Sequence, residues 1–154
     1  MELKRVVVTG LGALTPIGNT LPDYWESLKS GVSGAARITY FDPKHHKTQF
    51  ACELKGFDVN EFIHRKEARR MDKFSQYALV VTEEAIGDAR LTEGSFNPDR
   101  VGVIWGSGIG GLETFQDEAQ VLLKAREEDT GPKFNPFFIP KMIADIAPGN
   151  ISIK

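Results

Sequence analysis

Gly106-Ser107-Gly108-Ile109-Gly110-Gly111 follows the apolar run Val101-Gly102-Val103-Ile104-Trp105 and precedes a helical pattern opening near Leu112. The spacing is G-x-G-x-x-G, the form of a nucleotide-binding loop between a strand and a helix. Glycine takes φ > 0 without steric cost and lets backbone pass close to another surface. A dinucleotide site also needs an acidic residue on the tip of the next strand, about 20 positions on, to hold the ribose. Glu127, Glu128 and Asp129 stand at about that distance, but they close a helix and lead into Gly131-Pro132 with no strand behind them. The loop is therefore expected to be a tightly packed turn, or a turn whose backbone lines a pocket for something other than a nucleotide. Ser107 is not a nucleophile elbow, because G-x-S-x-G needs glycine where Trp105 stands.

A second set of chemical groups is Arg65-Lys66-Glu67-Ala68-Arg69-Arg70-Met71-Asp72-Lys73. On a continuous helix Lys66, Arg69, Arg70 and Lys73 share one face. Such a face either attracts phosphate groups or an acidic partner, or is a solvated surface partly neutralised by Glu67 and Asp72. Asp42, His45, His46 and Cys52 match no standard zinc spacing and read as loop residues, so no metal site is expected. No glycine turn or helix N-terminus adjoins Cys52 to lower its pKa, and it is expected to be a buried structural thiol. Phe134, Phe137 and Phe138 lie among Pro132, Pro136 and Pro140 on a stiff loop. Three such rings are costly to leave in water, so they pack under the loop, at a subunit contact, or against an apolar ligand.

These groups must be positioned by alternating strands and helices. Val6-Val7-Val8 and residues 101–105 read as strands buried on both faces of a parallel sheet, with a third short strand near Phe50 to Leu54. Thr20, Pro22 and Gly31 bracket a short helix with Trp25 and Leu28 on its buried face. Met71, Phe74, Ala78, Val81 and Ala85 form one apolar stripe over a helix from about Met71 to Ala89. Leu112, Phe115, Ala119 and Leu122 do the same for the next helix, and a last helix begins near Pro140 and meets Pro148-Gly149. The class is α/β. Three strands are few for a stable parallel sheet, so the chain is expected to be the opening portion of something larger.

Composition narrows the function classes. The chain has 154 residues, one domain or part of one, with 41% hydrophobic and 26% charged residues and a net charge of −2. That charge gives no general attraction to nucleic acid, so any basic surface is local. No run is long enough to span a membrane, and Glu2, Lys4 and Arg5 interrupt any secretory signal region. A lone cysteine fits a reducing compartment, and a cytoplasmic location is expected.

Four ordered motifs together resemble the β-ketoacyl-acyl-carrier-protein synthases, most closely the elongating synthase II branch. They are Arg5-Val6-Val7-Val8-Thr9-Gly10-Leu11-Gly12 with Thr15-Pro16-Ile17-Gly18; Arg65-Lys66-Glu67 with Met71-Asp72; Gly106 to Gly111; and Asn135-Pro136-Phe137-Phe138-Ile139-Pro140. The resemblance covers essentially the whole chain. It implies a thiolase-like fold, with residues 1–154 forming part of the N-terminal half of a five-layered αβαβα core that is incomplete in this chain. It implies decarboxylative Claisen condensation through a cysteine thioester and two histidines, with fatty acyl and malonyl thioesters as substrates, acyl carrier protein as partner, a homodimer, and no cofactor. The nucleophile and both histidines of the resembled family fall beyond Lys154. Cys52, His45, His46 and His64 match none of them, so no catalytic residue is expected here and the chain alone is expected to be inactive. By the same resemblance Lys66, Arg69, Arg70 and Lys133 are carrier-binding positions, and Ile109, Phe137 and Phe138 line the acyl pocket or the subunit interface. A small nucleotide-binding oxidoreductase and a non-catalytic carrier-binding module remain the alternatives.

Overall fold

A computed structural model describes residues 3–154. The chain is mixed α/β and divides into two compact units. The first comprises the described residues up to Asp58 together with Val81–Phe96; the second comprises Val59–Val80 and Asn97–Lys154.

In the first unit, helix α1 (Leu21–Lys29) is started by Thr20, whose side chain accepts the Asp23 N–H at 3.3 Å. It stops at Gly31, where φ is +66° with no side-chain neighbour, a conformation that favours glycine. The expected buried face is not buried: Trp25 is 58% and Leu28 45% exposed. Strands β1 (Ala36–Arg37) and β2 (Phe50–Ala51) form a two-stranded antiparallel ladder, with Ala36 opposite Ala51 and Arg37 opposite Phe50. Cys52 follows β2 and is exposed, which corrects the expected buried thiol. Cys52 stands one residue past a ladder only two residues long, where neither Phe50 nor Ala51 is buried.

The second half of helix α3 (Lys73–Asp88) organises the N-terminal segment of the same unit. The Glu84 carboxylate accepts the N–H groups of Ala13 and Leu21, both at 2.7 Å, and Asp88 accepts that of Leu11 at 2.9 Å. The Leu11 and Ala13 amides have no ladder and that of Leu21, at the start of α1, has no intrahelical partner, so side-chain carboxylates satisfy them. Gly12 lies against α3 so closely that a Cβ would stand 2.1 Å from the Val81 carbonyl oxygen.

The expected parallel strands are not formed among the described residues. Val6-Val7-Val8 and Val101-Gly102-Val103-Ile104-Trp105 join no ladder, and Val6 and Ile104 are 89% and 98% exposed. The apolar pattern was legible, but a strand exists only where a neighbouring backbone completes its hydrogen bonds.

The second unit carries most of the buried apolar side chains among the described residues, Ile63, Ala68, Ala78, Leu79, Val80, Ala125 and Ala147. Here the expected helix from Met71 begins later. Helix α2 (Arg65–Ala68) ends in a turn through Arg69–Asp72, and Gln76 Nε2 donates to the Ala68 carbonyl at 2.9 Å and the Met71 carbonyl at 3.3 Å. A side chain thus caps the interrupted helix end. Helix α4 (Leu112–Glu127) starts where expected. The expected single last helix is two, α5 (Phe138–Met142) and α6 (Ile146–Ile153). Pro148 lies in the first turn of α6, where its missing N–H has no intrahelical partner to lose.

Glu53, in the first unit, collects the Thr39 hydroxyl at 2.8 Å and the N–H groups of Thr39 and Tyr40 at 2.9 and 3.2 Å. Partial desolvation opposes its charge, but these hydrogen bonds outweigh it and hold the carboxyl below the usual carboxylate range. A depressed carboxyl stabilises above its unfolded value, and the contribution disappears as pH falls through the folded one. Amide exchange at Thr39 and Tyr40 is therefore expected to accelerate, after correction for intrinsic rate, between about pH 5 and 3 in the native chain and not in Glu53→Gln. Equal pH dependence in both proteins refutes this.

Candidate functional site

The side chains expected to line an acyl pocket or to meet a carrier all fall in the second unit, whereas Asp42, His45, His46 and Cys52 fall in the first. Their arrangement begins with two backbones in close approach. Gly111 N–H donates to the Met142 carbonyl at 2.9 Å. A Cβ on Gly110, where φ is +90°, would lie 2.3 Å from the Met142 oxygen; one on Gly111 would lie 2.3 Å from the Lys141 oxygen. Residues 110 and 111 are therefore glycine because another backbone occupies the side-chain space. Gly106 and Gly108 face open space. The amide of Gly111 is already bonded, so it is not free to cradle a phosphate. After α4 the chain turns at Asp129, φ +52°, into a loop and supplies no strand tip for a ribose.

Next to this crossing lies an apolar cavity of about 560 Å³ lined by Ile109, Leu112, Phe115, Met142 and Ile143 among others. Leu112 and Phe115 belong to the stripe expected to be the core face of α4, but both are half exposed and open onto this cavity. The buried positions of α4 are Thr114, Glu118 and Ala125. Hydropathy could not identify that face, because two of its three buried residues are polar. Glu118 Oε2 accepts the Asn135 N–H at 3.0 Å and so ties the aromatic loop to the helix.

The three loop phenylalanines separate in role. Phe138 stacks with Phe134 at 6.2 Å and reaches Phe115 at 6.5 Å, one layer behind the cavity lining. Phe137 carries the Arg70 guanidinium 5.2 Å from its ring centre, a cation–π geometry. Ile109 lines the cavity directly and is 71% exposed.

The cations do not share one helical face as expected, since the helix breaks between them. Lys66 lies in α2, Arg69 caps it, Arg70 stands in the turn, and Lys73 opens α3, paired with Glu113 at 2.8 Å. Among the described residues Lys66 and Arg69 are exposed and make no ion pair. Lys133 lines a second cavity, of about 490 Å³, with Lys124 and Thr130. In the first unit His45 and His46 are exposed, with His46 5.2 Å from the Phe41 ring; in the second, His64 Nδ1 accepts the Lys66 N–H at 3.2 Å. Among the described residues no three His, Cys, Asp or Glu side chains converge as metal ligands.

Residues 3–154 match the family described as beta-ketoacyl synthase, N-terminal domain. A curated relative from Synechocystis sp., 3-oxoacyl-[acyl-carrier-protein] synthase 2, is 48% identical over 155 residues, covering 100% of this chain and 36% of its own length. The protein of the same description from Staphylococcus aureus strain COL is 47% identical over 97% of this chain and 35% of its own. The chain thus spans about a third of the length of these relatives. Among solved structures, a beta-ketoacyl synthase from Burkholderia phymatum superposes with a TM-score of 0.75 at 26% identity, over 98% of this chain and 36% of that one. A type II PKS ketosynthase, solved in complex with its acyl-carrier protein and bound to the hexaketide, gives 0.73 at 26% identity, over 97% and 39%. The fold is thiolase-like.

The close approach at Gly111 sets a steric expectation. Gly111→Ala must displace backbone and is expected to cost about 1–3 kcal/mol in denaturant unfolding. Gly108→Ala, facing open space, is expected to fall within about 0.5 kcal/mol of the parent. Equal effects at the two positions contradict the crossing as described.

Proposed function

The chain belongs to the β-ketoacyl synthase N-terminal domain family, and on that premise we propose that it is the opening part of an elongating condensing enzyme of fatty-acid synthesis. The complete enzyme joins an acyl group, held as a cysteine thioester, to the two-carbon unit released when a malonyl thioester on acyl carrier protein loses carbon dioxide. One observation carries the reading furthest. The motif that looks like a nucleotide loop has its Gly111 amide committed to Met142 and its Ile109 side chain on an apolar cavity. An apolar pocket suits an acyl chain, and a committed amide does not suit a phosphate.

In this reading Ile109 limits the depth of the acyl pocket, and Phe137 and Phe138 shape its wall and the subunit interface of a homodimer. Lys66, Arg69, Arg70 and Lys133 receive the acidic carrier. The exposed, unpaired state of Lys66 and Arg69 supports docking by charge, which mainly sets encounter rate and register. The engagement of Arg70 with Phe137 gives that residue a second task beside the pocket wall. We further propose that the nucleophilic cysteine and the two histidines lie outside this chain and that the chain alone does not condense. Cys52 supports this, since it is an exposed residue after a two-residue strand and not at a helix N-terminus. We place the protein in the cytoplasm. Among the described residues no helix is long and apolar enough to cross a membrane.

Three measurements test the reading. Incubating the chain with an acyl-carrier-protein thioester is expected to leave Cys52 unlabelled; stoichiometric acylation there sinks the assignment. In a complete enzyme carrying this segment, Lys66→Glu with Arg69→Glu is expected to raise KM for the carrier about tenfold and spare turnover of small acyl thioesters. An unchanged KM refutes the docking role. Ile109→Phe is expected to shorten the longest acyl chain in the product distribution, and an unshifted distribution removes Ile109 from the pocket.

A further inference from the structure

The cavity wall is held from a direction that neither the aromatic loop nor the glycine crossing explains. Asp72 and Lys73 stand together where the broken helix resumes, and Glu113 and Thr114 stand together in the first turn of α4. The Thr114 hydroxyl donates to Asp72 Oδ2, and Lys73 Nζ pairs with Glu113 at 2.8 Å. Two adjacent residues thus grip two adjacent residues with opposite polarity, one link partly buried and one at the surface. Thr114 is 6% exposed, whereas the side chains of Lys73 and Glu113 are 44% and 61% exposed. The outer ion pair is screened by water and worth little. The inner hydrogen bond is to a charged acceptor at a buried hydroxyl and is the stronger member.

Its position gives it a consequence beyond stability. Asp72 Oδ2 lies 3.0 Å from where a Cβ on Gly111 would be, so the carboxylate braces the outer side of the residue whose backbone is bonded to Met142. Gly111, Leu112 and Phe115 on one wall and Met142 on the other all line the cavity. The brace therefore fixes the spacing of the two walls, and Ile109 is carried on the same turn.

We propose that Asp72 and Thr114 are positioning residues that set the length of acyl chain the cavity accepts, an inference that rests on the condensing-enzyme reading above. Neither touches the acyl chain. They act through Gly111 and the first turn of α4; Asp72 closes one of the four motifs and Thr114 lies outside them.

The test compares Thr114→Val, which keeps the shape and removes the hydroxyl, with Thr114→Ser, which keeps the hydroxyl. In a complete enzyme carrying this segment, T114V is expected to change the ratio of kcat/KM for a tetradecanoyl over an octanoyl primer by about fivefold or more. T114S is expected to hold the parental ratio, and KM for the carrier is expected to stay within about twofold in both. An unchanged ratio in T114V, or an equal loss for both primers, overturns the proposal. Thr114→Ala carries the same expectation if T114V does not accumulate. Should the parental enzyme elongate neither primer, the condensing-enzyme reading fails separately. The brace is then judged on the chain itself by titration with the apolar fluorescent probe cis-parinaric acid. Binding about fivefold weaker in T114V than in T114S sustains it, and equal binding overturns it.

Discussion

Two backbones meet at Gly110-Gly111 and Lys141-Met142 with no room for a side chain between them. Much of the second unit's site depends on that approach. It removes the Gly111 amide from use by any anion and turns Ile109 and the first turn of α4 toward the segment following α5. Close-packed backbone is rigid in a way that side-chain packing is not, because no rotamer change can relieve it. Glycine is needed at both positions, but only Gly110 also needs a left-handed backbone. A consensus expression for a phosphate loop records the glycines and is silent about which of these reasons produced them.

The sequence made the helices legible because their signals are local. Thr20 and Gly31 frame α1, and α4 begins at the residue after the glycines. The strands were not legible in the same way. Val6-Val7-Val8 has the composition of a strand, but pairing is a property of two segments, and neither that run nor residues 101–105 finds a partner among the described residues. The inward face of α4 was misread for a different reason. Thr114 and Glu118 are buried through specific bonds to Asp72 and to the Asn135 amide, and such bonds reverse the usual ordering of side chains by hydropathy. The family was legible through its ordered motifs and not through any single spacing.

The break between α2 and α3 also matters for the cations. A continuous helix would have presented four of them to one partner. Gln76, bonded to two carbonyls across the break, instead lets the chain distribute them: Lys66 and Arg69 to solvent, Arg70 to the Phe137 ring, Lys73 to Glu113. The break, with Gln76 bonded across it, thus gives the four cations four different surroundings. Charge counting along the sequence treats the four as equivalent, whereas the turn gives each different neighbours.

Val6-Val7-Val8 has another consequence. It is β-branched, uncharged, free of proline and open to solvent, with its backbone in no ladder. Those are the attributes of a segment that templates cross-β association between copies. In this chain the run thus presents unpaired backbone N–H and C=O groups to whatever strand comes beside it, and its pairing is decided by a neighbour and not by its own composition.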